Sequence, residues 1–173
     1  MRCAVEVAAV RAQPRDDAEQ VTQALRGEAL AVEERRDGWA RVATSYGYPG
    51  WVRVEHLCGD SPLDVARTYL GSRYEWGGLS AAGIDCSGLV HLAYRLTGRL
   101  VPRDADQQDA TGVEVAQPEV GDLAMYGEPV DHVAFWAGAG RILHATGRDD
   151  GIGVVEEAEP AELRARRKRF VRL

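Results

Sequence analysis

At 173 residues the chain has room for one large domain or for a small and a medium one. Hydrophobic residues make up 45% and charged residues 28%, enough apolar material to bury a core with neither disulfides nor a metal. A formal net charge of −6 argues against nucleic acid as the main partner, and no run reaches the roughly 18 apolar residues of a membrane span.

The opening "MRCAVEVAAVRAQPRDD" lacks a charged segment followed by a long apolar stretch. No secretory signal is therefore expected, and the cytosol is the expected compartment. Cys3, Cys58 and Cys86 are odd in number, far apart and without CxxC spacing, which argues against a zinc site and a disulfide framework. Cys3 and Cys58 carry no functional reading. The basic run "RARRKRF", with Arg164, Arg166, Arg167, Lys168 and Arg169, reads as a solvated helix face or the flank of an edge strand.

Residues 1–58 read as short strands. "AVEVAAV", "ALAVEERR", "WARVAT" and "GWVRVEHL" mostly alternate apolar and polar residues, and "QPRDD", "RRDG" and "GYPG" punctuate them as turns. Several strands in so short a span predict a small all-β barrel. The pattern from Val10 to Val52, with its GE pair, its DGWARV strand and its Gly-Trp-Val ending, resembles bacterial SH3-like domains.

Residues 59–173 form the second predicted domain. "GDSPLDVARTYLG" predicts a helix capped by Ser61, with Pro62 in its first turn, Asp64 completing a capping box and Gly71 as its stop. A second helix follows Asp85, with Leu89, Val90, Ala93 and Leu96 as its apolar face and Gly98 as its end. "RDADQQDAT" predicts a short third helix. Strands then follow in "DLAMYG", "HVAFWAG", "RILHATG", "GIGVVE" and "RFVRL". Helices first and antiparallel strands afterwards make an α+β domain.

Within "GIDCSGLV", Cys86 stands at the predicted N-terminus of the second helix. An isolated cysteine is ordinarily a small buried hydrophobe. At a helix N-terminus, however, unpaired N–H groups and the helix dipole favour negative charge, so a lowered thiol pKa is expected. Gly83 before it and Ser87-Gly88 after it leave room for a substrate backbone. His132 opens one strand and His144 lies in the next. A hairpin centred on Ala139 sets position 132 opposite 146 and makes His144 a same-face diagonal neighbour of His132. A one-residue slip would remove His144 from that face. One imidazole can then take the thiol proton while the other orients it.

The blocks "RYEWGG", "GIDCSGLVHLAYRLTG", "VPRDADQQDATG", "VGDLAMYG", "DHVAFWAG" and "RILHATG" together resemble the NlpC/p60 cysteine peptidases over about residues 62–173. The resemblance implies a pared-down papain-like fold that needs no cofactor and no metal. Cys86 would be the nucleophile, His132 the base and His144 the orienting group. Tyr74 would either assist the oxyanion site or brace the helix from the core.

The same resemblance implies a substrate. Family members cleave between γ-D-glutamate and a diamino acid, meso-diaminopimelate or lysine. A subgroup with an N-terminal SH3-like domain requires a free N-terminal L-alanine. In that reading Asp85 and Ser87 hold the alanine ammonium, although Asp85 also suits a plain N-cap. Tyr48 and Glu28 would face the amine from the SH3-like domain, or else be a surface turn aromatic and a barrel-edge charge. Arg103 would take the α-carboxylate of D-glutamate, or form an ordinary salt bridge. The expected partner is a muropeptide, L-Ala-γ-D-Glu-diamino acid, consumed in murein peptide recycling, with neither nucleic acid nor membrane involved. The alternatives are an amidase or acyltransferase of the same fold and a non-catalytic wall-binding module. The diamino acid and the oligomeric state stay open.

Overall fold

The computed structural model describes residues 1–147 and 153–173. The chain divides into two compact units, Met1–Asp60 and Ser61–Leu173. Among the described residues, no helix is long and apolar enough to cross a membrane.

The first unit is all β apart from one 3₁₀ turn at Val54–His56. Its strands are β1 (Arg2–Cys3), β2 (Val7–Arg11), β3 (Gln20–Leu25), β4 (Leu30–Arg36), β5 (Trp39–Thr44), β6 (Pro49–Arg53) and β7 (Leu57–Cys58). Five form one sheet in the order β3-β2-β6-β5-β4, and β1 pairs with β7. Alternation does the folding here: Ala8, Val10, Ala40, Val42 and Val52 turn inward and join Cys3, Ala24 and Leu30 in one buried cluster. Strand β3 was not expected. It is an edge strand in which only Ala24 is buried, so its sequence "QVTQAL" shows almost no apolar period.

The second unit is α+β. It contains α1 (Pro62–Arg67), β8 (Leu79–Ser80), β9 (Gly83–Ile84), α2 (Cys86–Leu96), α3 (Ala105–Thr111), β10 (Val113–Val115), β11 (Leu123–Tyr126), β12 (His132–Gly138), β13 (Arg141–Ala145), β14 (Val154–Ala158), α4 (Ala161–Arg166) and β15 (Arg167–Arg172). Six strands form one sheet in the order β10-β15-β11-β12-β13-β14. The expected strand "GIGVVE" starts at Val154, and its first two residues lie outside the described residues.

Ser61 caps α1 by accepting a hydrogen bond from the Asp64 amide. That helix ends at Arg67, short of the expected stop at Gly71, because Thr68, Tyr69 and Leu70 continue in tighter i→i+3 turns. Helix α2 is buried on most of its circumference, from Cys86 to Val90 and again from Leu92 to Tyr94. It packs on the sheet, where the Tyr94 ring stacks on Phe135 with centroids 6.3 Å apart. Helix α4 carries no clear apolar period, and only its basic end was expected as a helix face; its start at Ala161 was not.

The basic run divides between two elements: Arg164 and Arg166 lie exposed on α4, as the helix-face reading expected, whereas Arg167, Lys168 and Arg169 lie in β15. Strand β15 is not at the edge but lies between β10 and β11. Arg164 and Arg167 bind the buried Glu159 carboxylate, Lys168 and Arg169 bind Asp109, and Arg166 binds Asp131. Glu159 and Asp109 are buried, whereas Asp131 is exposed.

Candidate active site

The site is built where α2 begins beside the start of β12. Asp85 caps α2 in an extended conformation, and its side chain accepts the Gly88 amide at 2.7 Å. Cys86 follows as the first helical residue and is 6% exposed. The amides of Val133, Ser87 and Cys86 itself favour a thiolate there. Burial outweighs them: it pushes the Cys86 thiol up, and the neighbouring Asp85 charge adds to the rise. The expected lowering by the helix N-terminus is therefore not what the resting protein shows, because the sulfur is desolvated beside a carboxylate. A thiolate at this position needs a base to take the proton.

His132 stands at the first position of β12. Phe135 pairs with Leu143 and Trp136 with Ile142, which places His144 diagonally from His132 on the same face. The contact is direct: His132 Nε2 and His144 Nδ1 are 2.8 Å apart, with the rings edge to face. The turn that sets this register consists of Ala139 and Gly140, both at positive φ, as a two-residue type I′ hairpin requires. Gly138 pairs with Arg141, so Ala137 is an extra residue on β12 and the register shifts there by one. Without that bulge the turn would have carried His144 to the opposite face. The far nitrogen of His144, Nε2, lies 3.0 Å from Oε1 of Glu157 on β14. Glu157 was not singled out from the sequence, and only the strand register reveals it.

Two hollows flank the histidine and the cysteine. One, about 430 Å³, is lined by Cys86, Ser87, Asp85, Arg103, Asp104 and Asp106 among others. The other, about 600 Å³, is lined by His132, Tyr74, Thr146 and residues of α4. Trp76 and Asp131 line both, and Trp76 is 84% exposed. Burial pushes the Tyr74 hydroxyl up, with the Cys86 and Asp85 charges adding to the rise, so it stays protonated and able to donate at neutral pH.

Arg103 and Asp85 occupy each other. Nη1 of Arg103 donates to Oδ1 of Asp85 at 2.9 Å and Nη2 to Oδ2 at 2.8 Å. Arg103 also donates to Ser87 Oγ and to the Gly78 carbonyl. Asp85 further accepts the Gly77 amide at 2.7 Å. Burial alone would raise the Asp85 pKa, but Arg103 and the two amides prevail and hold it below the ordinary carboxylate value. The carboxylate read as an ammonium acceptor is already paired with the guanidinium read as a carboxylate binder. Asp104, Asp106 and Asp131, all exposed, are the further carboxylates of that hollow and were not singled out from the sequence.

Tyr48 and Glu28 lie in the first unit. Tyr48 is 44% exposed beside Tyr46, with ring centroids 6.5 Å apart. Glu28 accepts the Leu25 amide at 2.7 Å and so closes the turn between β3 and β4. Among the described residues, no group of three or more potential ligands could hold a metal ion.

Two family models match the chain. Residues 71–166 match the NlpC/P60 family and residues 10–57 the bacterial dipeptidyl-peptidase Sh3 domain. The chain belongs to the NlpC/P60 family. It is 37% identical over 89 residues to a probable endopeptidase of Corynebacterium glutamicum, covering 50% of this chain and 43% of that one. A gamma-D-glutamyl-L-lysine dipeptidyl-peptidase of Bacillus subtilis is 33% identical over 145 residues, covering 75% of this chain and 49% of its own. The chain thus spans about half the length of these curated relatives or less. The fold of an NlpC/P60 family protein from Bacillus cereus matches 99% of this chain and 62% of its own, with a TM-score of 0.63 at 22% identity.

Proposed function

We propose that this NlpC/P60 protein is a cysteine endopeptidase that hydrolyses the γ-D-glutamyl–diamino acid bond of cell-wall peptides bearing a free N-terminal L-alanine. The observation that carries the proposal is the Cys86 sulfur at the head of α2, beside the start of a strand whose first residue, His132, is bonded to His144 at 2.8 Å. The Bacillus subtilis relative, named for γ-D-glutamyl-L-lysine cleavage, supports the substrate class.

In this mechanism His132 takes the proton of the Cys86 thiol, and the sulfur attacks the carbonyl carbon of the γ-linked D-glutamate. The carbonyl π electrons move onto oxygen, which the Tyr74 hydroxyl and N–H groups near Cys86 stabilise. Collapse breaks the C–N bond, and His132 returns its proton to the departing amine. Water then attacks the thioester, His132 takes one of its protons, and the sulfur leaves to be reprotonated. The other product carries a new carboxyl group. His144 orients His132 throughout.

The substrate amine needs a negative partner. With Asp85 paired to Arg103 and Asp131 to Arg166, we assign the ammonium to the hollow's remaining carboxylates, Asp104 and Asp106, and Asp85 to holding the helix start. A site that selects a terminal amine acts on short released peptides. Recycling of wall peptides in the cytosol is the setting we propose for it.

The test is a mass-spectrometric assay of L-Ala-γ-D-Glu-meso-diaminopimelate, its lysine counterpart and the N-acetylated form of each. Cleavage of the free-amine peptides alone supports the reading. Equal cleavage of the acetylated forms sinks the amine requirement, and no cleavage of any of them turns the reading toward an amidase or acyltransferase.

A further inference from the structure

We infer that Glu157 is a positioning residue that selects the protonation pattern of the two histidines. The inference rests on the reading of Cys86 and His132 as nucleophile and base. Glu156 and Glu157 are neighbours on β14, and their side chains point to opposite faces of the sheet. Glu156 pairs across from Leu143 and receives Arg67 of α1 at 2.9 Å. Glu157 pairs across from Ile142, hence on the face of His144, and lies 3.0 Å from His144 Nε2. His144 itself is 1% exposed, so the contacts of its two ring nitrogens decide its tautomer.

With both imidazoles neutral, the chain of donors has one self-consistent order. An ionised carboxylate only accepts, so Glu157 requires a proton on His144 Nε2. A neutral His144 then has a bare Nδ1, which must accept. Its partner at 2.8 Å, His132 Nε2, must therefore donate. A neutral His132 protonated on Nε2 carries no proton on Nδ1, and that lone pair is the one that takes the Cys86 proton in the proposed mechanism. In the opposite order His144 would donate from Nδ1, and His132 would carry its proton on Nδ1 and offer the thiol no base. Glu157 also stabilises the imidazolium that forms on His132, through the neutral His144 between them. Neither His144 nor the hairpin register alone fixes this order, because a hydrogen bond between two neutral imidazoles can run in either direction.

The test uses the intact protein and two substrate-free readouts, so a wrong substrate assignment leaves them untouched. The first is the ¹⁵N chemical shifts of the histidine rings. The second is the rate at which iodoacetamide alkylates Cys86 near neutral pH, followed on the Cys86 peptide by mass spectrometry. In the unaltered protein His144 is protonated on Nε2 and bare at Nδ1. In Glu157→Leu the proton moves to Nδ1, alkylation slows about tenfold or more, and kcat falls by a similar factor with KM unchanged. Glu157→Gln, whose amide oxygen still accepts, retains the tautomer and most of the rate. Glu156→Gln, on the other face, changes neither. The inference is overturned if His144 stays protonated on Nε2 in Glu157→Leu with alkylation unaltered. It is equally overturned if Glu156→Gln slows alkylation as much as Glu157→Leu does.

Discussion

Arg103 grips both oxygens of Asp85, at 2.9 and 2.8 Å, at the residue immediately before the candidate nucleophile. The pair is nearly buried on the carboxylate side, so removing one partner leaves an uncompensated charge. Arg103→Met should cost about 3 kcal/mol by denaturant unfolding, and the double variant with Asp85→Asn should cost clearly less than the two single losses added together. Additive losses would show that the two side chains do not act as a pair.

The same pair predicts an acid limb in stability. The folded-state pKa of Asp85 lies below its unfolded value of about 3.9. Its contribution is therefore complete above about pH 4 and is lost as pH falls through the lower folded-state value. Asp85→Asn should flatten that part of the stability profile, measured as urea midpoints across the acid range. An unchanged profile would contradict the assignment.

Cys86 predicts the opposite sign at alkaline pH. Burial holds its thiol above the ordinary value, so the folded state keeps a proton that the unfolded chain releases above about pH 8.5. Stability falls as pH rises past that point, and Cys86→Ala should lessen the fall. In His132→Ala, iodoacetamide labelling of Cys86 should lose its neutral-pH component and rise only in the alkaline range. Labelling with the wild-type pH profile would mean that His132 is not the base.

Gly88 sits where the pair closes. A Cβ there would stand 2.6 Å from the Gly78 carbonyl oxygen and 2.8 Å from Asp85 Oδ1. Gly88→Ala should therefore destabilise by roughly 1–3 kcal/mol and slow Cys86 labelling, whereas an alanine at an open helical position would stabilise. A gain in thermal midpoint would contradict the packing described.

Tyr74 lines the His132 hollow with its hydroxyl protonated. Tyr74→Phe should lower kcat about ten- to a hundredfold with little change in KM, as loss of an oxyanion donor does. A rise in KM alone would instead assign Tyr74 to substrate binding.

Much of this was legible in the sequence because the signals were local. Asp85-Cys86-Ser87-Gly88 carries its own cap and its own small residues, and strands such as "WARVAT" carry their period. What escaped depended on partners far along the chain. Arg103 is 18 residues from Asp85, and nothing in "VPRDA" announces that its guanidinium turns back onto the helix cap. Glu157 becomes a neighbour of His144 only through the β13–β14 register. The hairpin is the instructive case. Centring the turn on Ala139 gave the observed facing of His132 and His144, but the actual turn is Ala139-Gly140, and a bulge at Ala137 offsets the difference. Bulges have no reliable sequence period, so that agreement came from two compensating shifts.

The measurement that bears most directly on the central claim is an acid-quenched reaction of the free-amine peptide with the protein, followed by peptide mapping of the captured adduct. The expected result is an L-Ala-γ-D-Glu acyl group in thioester linkage on the Cys86 peptide, formed faster than it is released and absent from Cys86→Ala, which cleaves nothing. Cleavage by Cys86→Ala at the wild-type rate, with no adduct on the Cys86 peptide, would contradict it.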